Sequence, residues 1–81
     1  MFRVVISRLT DNGQRVTPEQ KDTAMSVNEA VSFIRRHLPG VDTAAFGDSV
    51  VQGSVNRFND FRCDVSTEDG GRYRVVIAPM S

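Results

Sequence analysis

The side chains that most often carry enzyme chemistry are scarce in this sequence. It has one histidine, His37, and one cysteine, Cys63, among 81 residues. His37 follows two arginines at the end of a predicted helix, where interaction with the helix dipole or plain exposure explains it better than work as a general base. Cys63 alternates with two apolar residues, which predicts a buried thiol rather than a reactive thiolate. We therefore predict no catalytic residues.

The sequence predicts no metal site and no cofactor site. One cysteine and one histidine cannot supply the four soft ligands of a usual zinc site within one chain. Gly70 and Gly71 lie in a predicted hairpin, not between a strand and a helix, so they do not form a phosphate-binding loop. Glu68 and Asp69 are adjacent at a predicted loop tip, where we expect solvated carboxylates. The protein is therefore predicted not to be an enzyme.

Arginine is the prominent residue type. Nine of the ten basic residues are arginine, and arginine is enriched at protein interfaces, where lysine is depleted. Its planar guanidinium forms bidentate contacts that lysine cannot form. The residues that we predict to contact a partner are arginines at exposed positions and one phenylalanine in a polar loop: Arg35, Arg36, Arg57, Phe58, Arg62, Arg72 and Arg74.

Three interpretations of the arginines on the last predicted hairpin stay open. In a solvated face, they would pair with the acidic residues interleaved among them: Asp60, Asp64, Glu68 and Asp69. In a protein interface, Phe58 would be an anchor, although it would equally well cover the core. In a nucleic-acid interface, the arginines would contact phosphates, but the interleaved carboxylates would weaken their field. The formal net charge of zero gives no overall attraction to nucleic acid or to an anionic membrane.

Length and composition restrict the class of protein. A chain of 81 residues is expected to form one domain, residues 1–81, around one core. The single cysteine excludes an internal disulfide. The longest apolar runs, such as 75–78, are far shorter than the roughly 20 residues of a membrane span. Since no basic and then apolar leader opens the chain, we expect a cytoplasmic protein without a membrane partner.

The first third of the chain predicts a strand and a short return strand. Residues 2–9 alternate in the period of two that places side chains on opposite faces of a sheet, and Val5 makes the second face partly apolar. Asn12-Gly13 predicts a tight turn. The return strand is expected at about 14–17, because Pro18 belongs at a sheet edge or outside the sheet. The polar residues 19–25 predict a loop.

One helix is predicted over residues 27–38. Ser26 and Glu29 have the spacing of a capping box. Leu38 precedes a proline, which disfavours continuation of the helix. The apolar side chains share one face at helical spacing: Val27, Ala30, Val31, Ile34 and Leu38.

The remaining residues predict strands. Residues 41–48 are expected to form a connecting loop with a turn at Gly47-Asp48. Residues 49–55 are expected to form a strand with a bulge at Gly53. In the last hairpin, a three-residue loop of Glu68, Asp69 and Gly70 is the loop length that keeps the apolar faces together. It would place Val65 opposite Tyr73, Cys63 opposite Val75, Phe61 opposite Ile77 and Asp64 opposite Arg74.

These elements predict an α+β fold in which a single helix packs on one antiparallel sheet of four to five strands, in the order β-β-α-β-β-β. In size and architecture, the chain resembles the small α+β proteins that phages and mobile elements make against host defences, including anti-CRISPR proteins. The resemblance covers the whole chain, but no shared motif carries it, so it assigns no residue.

The resemblance implies a non-enzymatic module that binds a host nuclease complex and occludes it by direct contact. Two alternatives stay open. One is a small nucleic-acid-binding protein that uses the arginines of the sheet face. The other is a structural subunit that self-associates along a sheet edge, for which a homodimer is the simplest form.

Overall fold

A computed structural model describes residues 1–41, 46–57 and 60–80. The described elements are β1 Phe2–Thr10, β2 Arg15–Ala24, α1 Val27–His37, α2 Asp48–Asn56, β3 Phe61–Ser66 and β4 Arg72–Pro79. The strands form one antiparallel sheet in the order β2-β1-β4-β3, so β1 and β4 lie inside and β2 and β3 at the edges. The predicted α+β class is confirmed. The single helix and the order β-β-α-β-β-β are wrong, because the described order is ββααββ.

Both helices pack on the same face of the sheet. The inner strands contribute the buried Val4, Ile6, Val75 and Ile77 to one apolar cluster. The helical layer contributes Val27, Ala30, Val31, Ile34, Leu38, Phe46, Val51 and Val55 to the same cluster. One face of the sheet is therefore the floor of the core, and the opposite face has no helix among the described residues.

Helix α1 agrees with its prediction to within one residue. The Ser26 hydroxyl oxygen accepts a hydrogen bond from the backbone N–H of Glu29 at 3.1 Å, as an N-cap residue should. The helix ends at His37, and the N–H of the C-cap residue Leu38 donates to the carbonyl of Ile34.

Strand β2 extends through residues that were predicted to be a loop. It pairs with β1 over its whole length, with one register shift between Ile6 and Ser7, whose partners are Gln20 and Pro18. Every residue of β2 except Ala24 is exposed. An edge strand that buries one residue has no apolar alternation, so the usual signal of a strand is missing from its sequence.

The predicted turn at Asn12-Gly13 is present, since both residues have positive φ and the N–H of Gln14 donates to the carbonyl of Asp11 at 3.1 Å, and it overlaps a second turn one residue earlier. The N–H of Gly13 donates to the carbonyl of Thr10 at 3.1 Å, and Asp11 and Asn12 both have positive φ. Asp11 and Asn12 are the central residues of that earlier turn, and both are residue types that tolerate the left-handed region.

Residues 49–55 form most of helix α2 rather than a bulged strand. Val51 and Val55 are buried one helical turn apart, whereas Val50 is 62% exposed. Gly53 lies within the helix, and Gly47 is the N-cap residue rather than part of a turn. Valines at 50, 51 and 55 fit a short strand as well as a helix, so their pattern alone does not distinguish the two.

The register of the β3–β4 hairpin is confirmed at all four predicted pairs. The N–H of Thr67 donates to the carbonyl of Gly71 at 2.8 Å, which leaves a three-residue loop of Glu68, Asp69 and Gly70. Gly70 has a φ of +88°, the left-handed conformation that glycine adopts without strain.

Candidate functional site

The sheet face opposite the helices is the candidate site, and we call it the open face. Side chains alternate between the two faces of a strand, so the registers assign each strand residue to one face. The described residues of the open face are Arg3, Val5, Ser7 and Leu9 of β1, Val16, Pro18, Lys21 and Thr23 of β2, Arg62, Asp64 and Ser66 of β3, and Arg72, Arg74, Val76 and Ala78 of β4.

The open face is strongly basic although the whole chain is neutral. Its described residues include one carboxylate, Asp64, and five cations: Arg3, Lys21, Arg62, Arg72 and Arg74. These five are half of the ten basic residues in the chain. The net charge of zero therefore conceals an uneven distribution of charge over the molecule.

Three acidic residues that were expected to neutralise the hairpin arginines do not lie on the open face. Asp60 lines a groove along α2 together with Arg57. The side chain of Glu68 lies against Gly40, beyond the end of α1. Asp69 accepts hydrogen bonds from the Thr67 hydroxyl and from the N–H of Gly71 within the loop. These three carboxylates therefore form other contacts than the expected pairs with the hairpin arginines.

Asp64 is the carboxylate that does pair with the arginines. Arg74 contacts it through two nitrogens: Nε is 2.9 Å from one carboxylate oxygen, and Nη2 is 3.3 Å from the other. These bonds, together with the charges of Arg74, Arg72 and Arg62, hold the pKa of Asp64 below its ordinary value. The same pairing raises the pKa of Arg74. The predicted cross-strand pair is confirmed, and it orients one of the five cations.

The opposite end of the open face holds cations without such a partner. Neither Arg3 nor Lys21 forms a salt bridge with a carboxylate in residues 1–41, 46–57 or 60–80. Both line a shallow depression of about 530 Å³ together with Val5, Asp22 and Thr23. Asp22 lines the same depression without a salt bridge to either of them, so two cations there face one carboxylate and an incoming anionic group would still be attracted.

An apolar strip lies between these charges. Val5 on β1 and Val76 on β4 are direct cross-strand partners and are half-buried. The outer partner of Val5 is Lys21, and the outer partner of Val76 is Arg62. One row across the sheet thus has a cation at each edge and two valines in the middle. Apolar centres with charged rims are typical of protein interfaces.

Leu9 continues the strip toward the hairpin end of the sheet. It is buried, at 7% exposure, but it does not belong to the core cluster under the helices. Its cross-strand partners are Val16, which is 43% exposed, and Arg72. The open face therefore has apolar packing of its own, independent of the helical layer.

The structure brings together three of the seven residues predicted to contact a partner. Arg62, Arg72 and Arg74 lie on the open face. Arg35 and Arg36 are exposed on α1, in the opposite layer, and Arg57 is the C-cap residue of α2. The seven residues therefore do not form one surface, and the remaining one, Phe58, lies outside the described residues.

Sequence analysis missed four residues of the open face: Arg3, Val5, Lys21 and Val76. The predicted alternation of residues 2–9 already put Arg3 and Val5 together on one face of the sheet. The alternation was not continued onto a neighbouring strand, because residues 19–25 were predicted to be a loop. Lys21 was therefore not assigned to a strand. Correct placement of β2 would have shown a row of side chains across all four strands.

The remaining chemically active side chains lie outside the open face. His37 is exposed, and its ring centroid is 4.3 Å from that of Phe33. Cys63 faces the core as predicted but is half-buried rather than buried. Burial raises the pKa of the Cys63 thiol, with a smaller contribution from Asp64, which disfavours a thiolate. Within the part of the chain that the structure describes, no group of three or more histidine, cysteine or acidic side chains could hold a metal ion.

Comparisons with family models, with curated proteins and with solved structures find no match to this chain. The helices of the described ranges are also too short and too polar to cross a membrane. The arguments about function below therefore depend on the residues and geometry of the open face.

Proposed function

We propose that this protein is a non-enzymatic binding module whose open face docks onto another protein with an acidic surface. The observation that carries the proposal is the row Lys21–Val5–Val76–Arg62, which puts an apolar centre between two cations. The partner class that we propose is a host nuclease complex, occluded by direct contact, as in the anti-CRISPR proteins that the chain resembles. Such a protein would act in the cytoplasm.

The chemistry of the open face favours a protein partner over nucleic acid. Its five cations would attract phosphates, which keeps nucleic acid as the second candidate. However, single-stranded nucleic acids are bound largely by stacking on aromatic side chains, and none of the described residues of the open face is aromatic. The valines at its centre have no role toward phosphates, but they match an apolar patch on a protein.

Self-association is the third candidate and is disfavoured by charge. Two open faces brought together would oppose five cations on each side, a repulsion that the single Asp64 of each copy does not offset. Pairing through the β2 edge would meet Pro18 and the adjacent register shift. Prolines and bulges at an edge strand oppose the addition of another strand.

A pull-down from a bacterial host, with mass-spectrometric identification of the captured proteins, tests the proposal. The wild-type protein is expected to capture a nuclease complex and to lower interference in a phage-plating assay. Arg62→Glu is expected to reduce capture by at least about tenfold, because it reverses a charge at the rim of the apolar strip. The melting temperature should change little, since Arg62 is exposed.

Arg36→Glu is the matched control. It makes the same charge reversal on an exposed position of α1, in the other layer of the molecule. Capture by this variant should equal that of the wild type. Equal losses from Arg62→Glu and Arg36→Glu would contradict docking through the open face. Steeply salt-dependent binding to RNA or DNA, without capture of a protein, would favour the second candidate.

A further inference from the structure

We infer that the occupant of the open face is an amphipathic α-helix of the partner protein, with acidic residues along both sides of its apolar stripe. The inference depends on the proposed function, because it specifies the part of the partner that the open face contacts. It is based on three observations: the dimensions of the face, the course of the apolar strip, and the positions of the cations around it.

The dimensions of the open face match one helix. Four strands at a spacing of about 4.8 Å make the face about 14 Å wide between the outer backbones. From Arg3 to Leu9, the face extends along β1 for about 20 Å at 3.3 Å per residue. An α-helix is about 10 Å in diameter, and about 14 residues of helix span 20 Å. One helix of about four turns is therefore long enough to follow the inner strands over the whole length of the open face.

The apolar strip runs along the inner strands. Val5 and Leu9 lie on β1, and Val76 and Ala78 lie on β4. The direct partners Ser7 and Arg74 separate the Val5–Val76 pair from Leu9, so the strip has two apolar parts that follow the same line along the inner strands. The apolar stripe of an amphipathic helix has the same shape, and a helix on the open face would complete a layered arrangement like that on the other face.

The cations lie beside the strip and at its ends. Lys21 on β2 and Arg62 on β3 lie at opposite edges of the sheet, and Arg3 and Arg72 lie toward opposite ends of the strip. Acidic residues that flank a helix stripe on both sides would reach cations on both edges. Arg3 and Lys21, which have no carboxylate partner in the described ranges, would gain the most from such contacts.

An extended peptide fits the open face less well. Strand addition uses the edge of a sheet, where backbone groups are unpaired, whereas the backbones of β1 and β4 are paired on both sides. An extended segment laid across the face would bury its own backbone polar groups without partners, which is costly. A helix has satisfied these groups internally before it docks.

Fluorescence anisotropy with the full chain and four labelled probes tests the inference. The first probe is a lactam-bridged helical peptide of about four turns, with leucines on one face and glutamates on both flanks. The second has the same composition in scrambled order, and the third has lysines in place of the glutamates. The fourth is a single-stranded RNA of similar length.

The acidic amphipathic peptide is expected to bind at least about tenfold more tightly than each of the other three probes. Val76→Asp should abolish this binding, because it puts a carboxylate into the apolar strip. Val50→Asp should not change it, since Val50 is an exposed valine on α2. Circular dichroism of both variants should show the wild-type secondary structure. If Val76→Asp does not fold, Arg62→Glu replaces it in the same comparison.

Three results would overturn the inference: equal binding of the scrambled peptide, tighter binding of the RNA, or no binding of the acidic peptide. The pull-down separates this failure from that of the proposed function. If Arg62→Glu abolishes capture of a nuclease complex while the acidic peptide neither binds nor competes, the docking surface is right and the helix is wrong. If the wild type captures no partner, the proposed function fails.

Discussion

The two faces of the sheet are built from the same strands but differ in what their side chains contact. Val75 and Val76 are consecutive on the inner strand β4. Val75 is fully buried beneath the helices, whereas Val76 is half-buried on the open face between Val5 and Arg62. The comparison teaches that an inner strand can serve folding with one set of side chains and binding with the other. Substitutions that alternate along β4 should therefore alternate in their consequences.

Val75→Ala and Val76→Ala test this difference with the same chemical change. Val75→Ala should lower the free energy of unfolding by about 2 to 3 kcal/mol, because it removes buried methyl groups and leaves a cavity. Val76→Ala should lower it by less than about 1 kcal/mol, as is usual for a partly exposed position. Urea denaturation of both variants measures the two values. Equal losses would mean that the open face is packed as tightly as the core.

Gly53→Ala tests the helical layer that covers the first face. Alanine should raise the free energy of unfolding by about 0.5 to 1 kcal/mol, since glycine is unfavourable within a helix. A Cβ atom at Gly53 would have no neighbour within 4 Å, so the gain should not be offset by a clash. Thermal unfolding followed by circular dichroism measures the shift. A loss of stability would instead support the bulged strand predicted from the sequence.

Arg74→Ala and Arg62→Ala compare a paired with an unpaired arginine of the open face. Arg74→Ala should lower the free energy of unfolding slightly, as is usual for the loss of an exposed salt bridge. Arg62→Ala should change it less, because no salt bridge to Arg62 is found within the described ranges. Denaturation at low and at high salt checks both values. An Arg74→Ala loss that salt does not reduce would indicate packing rather than charge.

Lowering the pH should remove the contribution of Asp64 to the free energy of unfolding. Its pKa is held below the ordinary value by Arg74, so folding favours the ionised form. The stabilisation is therefore present above the unfolded pKa of about 3.9 and is lost as the pH falls through the lower folded pKa. The difference in the free energy of unfolding between the wild type and Asp64→Asn should be a few tenths of a kcal/mol at pH 6. It should shrink as the pH falls below the unfolded pKa of about 3.9, and a difference that grows with acid would contradict the pairing.

The elements that were predicted correctly have sequence patterns that are compatible with only one type of secondary structure or one register. Helix α1 has a cap and an apolar stripe, and the β3–β4 hairpin has one loop length that aligns Phe61 with Ile77. Strand β2 lacks such a signal, because it is exposed on both sides. The valines of helix α2 have a spacing that fits either a helix or a short strand.

The candidate site was predicted only in part for the same reason. Arg62, Arg72 and Arg74 followed from the hairpin register, but the row that links Lys21 to Arg62 needs the pairing of all four strands. The separation of Asp60 and Glu68 from the arginines depends on the three-dimensional course of the loops. Alternation in the sequence carries no information about that course.

The central claim is that the open face, and not the helical layer, contacts the partner. Quantitative pull-down of the nuclease complex with Val76→Asp and Val50→Asp tests it most directly, since each variant adds one carboxylate to one side of the molecule. We expect Val76→Asp to retain less than about a tenth of wild-type capture and Val50→Asp to retain all of it, with both proteins folded. Full capture by Val76→Asp together with a loss for Val50→Asp would contradict the claim.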